Sequence, residues 1–436
     1  MLSKPTRTLC TAIVLLVVFT CPAGAVGEGD WPRFRGPGGA GSSDAEVLPV
    51  TWNPTENIAW TTELPGPGAS SPIVVAERIF LTCYSGFGTG VRDRSGVGDL
   101  ERHVLCISAA DGRVLWRRRV PNTLPANSRP GRAIRIGGVP AVVHGYASST
   151  PASDGQRLYC FFGNSGVYAF SMDGKPAWHT RVGERTHKWG SAASPVLHGG
   201  LVIVNASVEG DKLVALRKES GEVAWEAGGI KDSWNTPALV DVGGRTELVV
   251  GMRETTLGLD PATGATLWRA GKGWQGYVCP SIVAGAGAIY SLGGNMAMAI
   301  RPGGQGDVTA THRVWTAWKG SNVSSPVCHD GHLYWASGKR GIAYCLNVRS
   351  GKVVYAERLE PQPGDVYASP VVADGKIYYV SRRNGTFVVA ARPQFKLLAH
   401  NVISTDTSIF NASPAVLDGR LLLRSNRRLY CIGKKR

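Results

Sequence analysis

One pattern recurs along most of this chain and constrains what it can fold into. "ASSPIVVAERIFL", "ASSTPASDGQRLYC", "SAASPVLHGGLVIV", "VYASPVVADGKIYYV" and "FNASPAVLDGRLLL" are copies of it, anchored on Pro72, Pro151, Pro195, Pro237, Pro280, Pro326, Pro370 and Pro414. Successive prolines lie 79, 44, 42, 43, 46, 44 and 44 residues apart, so there are eight copies, and the first carries an insertion of about 35 residues. Each copy holds three or four short β-rich runs divided by turn residues, as in "SPVVA", "DG", "KIYYVS", "RRNG", "TFVVAA". Such runs read as strands joined by hairpins. Four strands with a period slightly above 40 make one propeller blade. A ring also protects edges that a linear stack would expose. The pattern predicts an all-β fold, an eight-bladed β-propeller of four-stranded antiparallel blades.

A second motif supports the count. "DGRVLW", "DGKPAW", "SGEVAW", "TGATLW" and "HRVW" place Trp116, Trp178, Trp225, Trp268 and Trp315 on the outer strands of blades 1 to 5. Tyr355 takes that place in blade 6, and blade 7 has only "FKLLA". Blade 8 runs out after its third strand, "RLYCIG". "ENIAW" near the front of the chain, with Trp60 in the motif position, can supply its outer strand and close the ring. These tryptophans are expected to pack between blades.

The Gly-x-x-x-Trp ends and their "ASP" inner strands resemble the tryptophan-docking repeats of PQQ-type quinoprotein propellers, over nearly all of residues 55–436. Two groups share that pattern: PQQ-dependent dehydrogenases, and cofactor-free relatives such as the outer-membrane assembly factor BamB. The opening "WPRFRGPGGAG" is similar to exported bacterial PQQ-like repeat proteins. The resemblance implies the fold and leaves the function open between oxidoreductase and binding scaffold.

The front of the chain reads as an export signal. Lys4 and Arg7 precede an apolar run from Leu9 to Cys21, and Ala23-Gly24-Ala25 follows, which marks residues 1–25 as a cleaved signal peptide. Thr20 stands where a lipid-anchor motif has a smaller residue, so anchoring at Cys21 is not expected. The chain carries +16 formal charge, +14 without Lys4 and Arg7. That balance favours anionic partners, and export sets nucleic acid aside. The expected partners are an envelope protein, a peptide or an anionic glycan, met by a monomer in the periplasm or outside the cell. Seven cysteines remain after residue 25, without Cys-x-x-Cys spacing, so neither a disulfide framework nor a zinc site is predicted. Cys106, Cys345 and Cys431 occupy equivalent core positions where other copies have Ala, and only Cys83 with Cys106 lies where a bond could form.

Propeller topology assigns the faces. With strand A innermost and D outermost, the D–A and B–C connections share one face, and the A–B and C–D turns share the other. The D–A loops carry His144, Tyr146, His187, Lys188, Trp189, Trp234, Asn235, Trp274, Tyr277, Asp365 and Tyr367; the B–C loops carry Arg253, Lys339, Arg340, Arg382, Arg383, Arg427 and Arg428. Aromatics ringed by cations suit a ligand with flat rings or carboxylates. The insertions at about 86–104 and 121–146 fall on the same face. No catalytic set or metal site is predicted. His329 and His332 in "HDGH" fall in an A–B turn on the other face, and no nucleophile elbow, phosphate loop or HExxH occurs.

For a quinoprotein, the resemblance would require PQQ with Ca²⁺ held by a carboxylate and an Asn, for which Glu209 and Asn235 are sparse candidates. No adjacent Cys-Cys pair or Cys-x-x-Cys-His haem signature is present. The expected function is a non-catalytic binding propeller, with a PQQ-dependent dehydrogenase of alcohols or sugars as the alternative. Residues 26–54 form a strap. Trp31 and Phe34 are expected to pack under the ring, with Arg33 and Arg35 tying the strap to carbonyls or acids.

Overall fold

The computed structural model describes residues 26–89, 95–123, 146–187, 189–271, 276–338 and 340–435, and the backbone alone of 133–136 and 139–142. The export signal predicted for residues 1–25 lies outside them. Blade 1 comprises Ile73–Val75, Arg78–Ser85, Glu101–Ser108 and Val114–Val120, neighbouring in that order, and six more blades repeat this meander. In the eighth, Ala415–Leu417, Arg420–Arg424 and Arg428–Ile432 are joined by Ile58–Glu63, antiparallel to Arg428–Ile432. The chain is therefore an eight-bladed β-propeller.

Local chemistry explains the hairpins. In the A–B turns of blades 6, 7 and 8 an Asp-Gly pair takes positive φ at both positions, 44° and 69° at Asp330 and Gly331. That is the turn whose twist matches paired strands. "HDGH" is such a hairpin, between Val327–His329 and His332–Ala336.

The repeated Ser/Thr beside each anchoring proline closes the ring. The backbone N–H of Ser71 donates to the Thr150 hydroxyl, Thr150 to Ser194, Ser194 to Thr236, Thr236 to Ser281, Ser281 to Ser325, Ser325 to Ser369, Ser369 to Ser413, and Ser413 back to Ser71, all at 2.9–3.1 Å. Strand A cannot satisfy these amides on its inner side, so the neighbouring blade does. Each such bond contributes about 1 kcal/mol net. In blade 5 the hydroxyl follows the proline, Pro280-Ser281, where the other copies place it before.

The tryptophans seal the outer joints. Trp60 donates its indole N–H to Ala109, Trp116 to Met172, Trp178 to Lys218, Trp225 to Pro261 and Trp315 to Val348, each a carbonyl of the next blade, at 2.8–3.2 Å. Each ring lies against the turn glycine of that blade; a Cβ on Gly264 would sit 2.5 Å from the Trp225 ring. Directly across from each aromatic on strand C stands a small residue: Cys106 opposite Trp116, Ala215 opposite Trp225, Cys345 opposite Tyr355, Cys431 opposite Trp60. The described cysteines are free. Cys83 pairs in register with His103, and Cys106 with Phe80, which keeps the two thiols apart.

Trp268 departs from the series. Blade 5 has "RPGGQGDVTATH" in place of the tight C–D turn, and its Gly306–Asp307 adds a parallel fifth strand to blade 4. With no turn to dock on, Trp268 turns inward and donates to the buried Glu247 carboxylate at 2.7 Å. Gly258 stands opposite, where a Cβ would meet the indole at 2.1 Å.

Residues 26–54 cross under the ring. Trp31 bridges Val74 of blade 1, Pro32 accepts from Ser153 of blade 2, Arg35 donates to the Pro326 carbonyl of blade 6, and Ser42–Ser43 pairs in parallel with Val372–Ala373 of blade 7. Blades 2 and 6 are diametrically opposed in a ring of eight, so residues 32–35 must pass the axis. Asp30 and Leu48 bond at the A–B turns of blades 1 and 7, which puts the crossing on the A–B face. Trp31, Leu48 and Trp52 are buried there.

Candidate functional site

The opposite mouth of the bore opens into a cavity of about 160 Å³. Trp189, Trp234, Tyr277 and Tyr367 stand around it on four D–A loops, with Asn322 and Asn411 between them. Deeper in, the lining is the hydroxyl ring itself, and Phe34 of the strap forms the floor. The bore is a blind funnel: the aromatic D–A mouth is open, and the strap lies across the other end. None of its eighteen described lining residues is charged.

The loops hold these side chains in place through backbone and amide bonds. Trp234 N–H donates to the Val278 carbonyl at 2.7 Å, and its indole N–H to the Gly190 carbonyl at 2.8 Å, which ties the loops of blades 2, 3 and 4 together. His187 and Tyr277 approach the Trp234 ring edge-on at 5.0 and 5.8 Å. The Tyr277 hydroxyl donates to Asn322 Oδ1 at 3.1 Å. Asn235 is fully buried behind Trp234: its amide donates to the Ser233 hydroxyl and the Gly251 carbonyl, and its oxygen accepts from the Gly251 N–H. It positions Trp234 and does not line the cavity.

On the far wall Tyr367 carries the Arg382 guanidinium 4.5 Å above its ring. Arg382 Nε donates to Asn411 Oδ1 at 2.8 Å, and Nη1 lies 3.8 Å from the Asp365 carboxylate. Burial lowers the Arg382 pKa.

The remaining candidates disperse. Tyr146 packs against Tyr84 and Phe87 at 5.5 and 5.7 Å and stays in the core of blade 1. Arg253 is exposed beside Asp232, and Arg340 is exposed on the B–C turn of blade 6. His144, Lys188, Trp274 and Lys339 lie outside the described residues.

Sequence reasoning passed over Asn322, Asn411 and the hydroxyl ring; Phe34, expected to pack under the ring, is in the cavity lining. It also missed Trp318, which is 74% exposed on the D–A loop of blade 5. Tyr277 and Trp318 are the only large aromatics among the exposed hydrophobic residues described, and both stand on this face.

Glu209 sits behind the Trp189 loop in the short helix Ser207–Gly210. It is 2% exposed and accepts from the Ser191 hydroxyl, while its carbonyl accepts the Glu184 and Arg185 amides. Burial pushes its carboxyl up to about 7.

A calcium-bound quinone would need converging hard oxygen ligands and cations for its carboxylates. Asn235 Oδ1 is taken by a backbone amide, and one Glu209 oxygen by Ser191. Among the described residues no group of three His, Cys, Asp or Glu is placed to hold a metal. These residues do not fit that group.

The family described as outer membrane protein assembly factor BamB matches residues 54–246 and 253–393. The chain belongs to the BamB family. This BamB-family propeller is similar in structure to BamB from Moraxella catarrhalis, with TM-score 0.56 and 13% identity over 86% of this chain and 96% of that one. It is also similar to the quinohemoprotein alcohol dehydrogenase of Comamonas testosteroni, with TM-score 0.66 and 12% identity over 94% and 81%. A quinohemoprotein alcohol dehydrogenase of Pseudomonas putida HK5 gives TM-score 0.62 and 10% identity over 94% and 80%. At these identities the likeness shows the fold. No curated protein matches the sequence. No described helix is long and apolar enough to cross a membrane.

Proposed function

We propose that this BamB-family propeller is an exported, non-catalytic binding protein, working as a monomer in the periplasm or outside the cell. It engages a partner of the cell envelope through its D–A/B–C face. The observation that carries the reading is the blind funnel, whose mouth carries Tyr277 and whose described lining offers no charged group for chemistry, with Trp318 exposed on a D–A loop of the same face. Aromatics at the centre of an exposed face are the side chains that supply most binding energy. A ligand segment enters the funnel while the surrounding loops contact the rest of the partner.

The test places photoreactive benzoylphenylalanine at Tyr277, at Trp318 and, as a control on the C–D side, at Val114. Adducts in cells are expected from the first two positions and not from the third, and Trp234→Ala should abolish them. Adducts from Val114 alone would move the binding face. Bound quinone absorbance with dye reduction, after loading with PQQ and Ca²⁺, would overturn the non-catalytic reading.

A further inference from the structure

We infer that the funnel recognises a saccharide bearing a carboxylate, stacked among Trp234, Tyr277 and Tyr367 and held by buried positive charge behind the lining. The inference rests on the binding reading above and names its ligand class.

The first ground is an imbalance of charge. Arg35, Arg382 and Arg424 are 1%, 1% and 2% exposed. Arg382 lies against Tyr367 and Asn411 in the wall. Arg424 donates to the carbonyl and hydroxyl of Ser70 at 2.5 and 2.9 Å, next to lining residue Ala69. Arg35 lies beneath the floor, donating to the Ala40 and Pro326 carbonyls at 2.8 and 2.5 Å. Burial lowers Arg35 to about 9 and Arg424 to about 10, so both stay charged at neutral pH.

Among the described residues, Asp365 is the only carboxylate within ion-pair distance of any of the three. Both terminal nitrogens of Arg382, two nitrogens of Arg424 and one of Arg35 are buried without a hydrogen-bond partner. Glu209, behind the Trp189 loop, is protonated over much of the acidic range. Buried charge without compensation is costly, and charges act strongly across a low-dielectric interior. An anion in the funnel supplies the missing compensation without touching the arginines.

The second ground is the lining. Rings around a small cavity, with the amides Asn322 and Asn411 among them and hydroxyls below that keep their own protons to donate, suit a ligand with flat C–H faces and oxygens at its rim. A pyranose ring has both. A carboxylate on it is bound by the neutral donors, with the guanidiniums setting the sign.

The test is an array of uronate-, sialate- and neutral-ended glycans, followed by titration of the best acidic ligand and its carboxyl-reduced counterpart. The acidic form should bind at least tenfold tighter. Asn411→Asp keeps the acceptor for Arg382 Nε but adds a negative charge to the lining. It should remove that preference without lowering the melting temperature, and Arg382→Gln should remove the preference too. Equal binding of acidic and reduced glycans overturns the charge argument and leaves the funnel reading intact. Retention of acidic peptides in place of glycans, sensitive to Asn411→Asp, overturns the saccharide. Retention of no acidic glycan overturns the inference outright, while the crosslinking through Tyr277 still decides the binding reading.

Discussion

Glu209→Gln isolates a burial effect that can be worked through in numbers. The carboxyl titrates ordinarily at 4.5 and is pushed up to about 7, chiefly because burial disfavours its charged form. The folded state therefore holds a proton that the unfolded chain has lost between those values. Stability from this group is full below about 4.5 and declines as pH rises through about 7. At about 1.4 kcal/mol per tenfold change in proton affinity, the whole loss is about 3 kcal/mol. Gln cannot ionise, keeps the acceptor for Ser191 and leaves a buried amide N–H₂ without a partner, at a constant cost of about 1–3 kcal/mol. Urea unfolding of both proteins at pH 5 and pH 8.5 separates the terms. The variant should be the less stable at pH 5, and the wild type should lose about 3 kcal/mol relative to it by pH 8.5. The comparison cancels His103, which burial drives the opposite way, down to about 4. A wild type-to-variant gap that is the same at both pH values would refute the burial argument.

Two further substitutions test the joints of the ring. Glu247→Ala strips the acceptor from the Trp268 indole and the Gly303 amide and leaves Arg245 unpaired, so it should cost 3 kcal/mol or more, read as the urea midpoint at unchanged slope. Trp31→Ala leaves a hole under strand A of blade 1 and should cost about 3–5 kcal/mol while leaving adducts from Tyr277 unchanged. Loss of those adducts at unchanged stability would make the strap part of the binding surface.

The fold was legible because its determinants repeat. A proline every 42 to 46 residues after the insertion, and a tryptophan at the end of most copies, specify strands and joints without any knowledge of long-range contacts. The Ser/Thr hydrogen-bond ring was not legible. Each ring hydrogen bond links residues a whole blade apart, and Ser413 to Ser71 spans 342 residues. Trp268 looked like its sister tryptophans, since its outward docking depends on a turn that only the next blade can supply.

At the mouth, topology placed the D–A loops together, while side-chain direction stayed hidden. Trp234 and Asn235 are neighbours, yet one lines the funnel and the other holds it from behind. Arg382 and Arg383 are consecutive, and only Arg382 stacks on Tyr367. A basic loop read from sequence implies solvated charge at the surface. In the folded chain Arg382 and Arg424 are buried behind aromatics and hydroxyls, and the described lining in front of them is neutral. The strap follows the same logic. There Arg35 spends its donors on carbonyls under the floor while Phe34 lines the axis. A ring of eight blades leaves a bore that its own strands cannot fill. Closing one end with a segment from the chain's front turns that unavoidable hole into a pocket with a single entrance, on the face where the D–A loops converge.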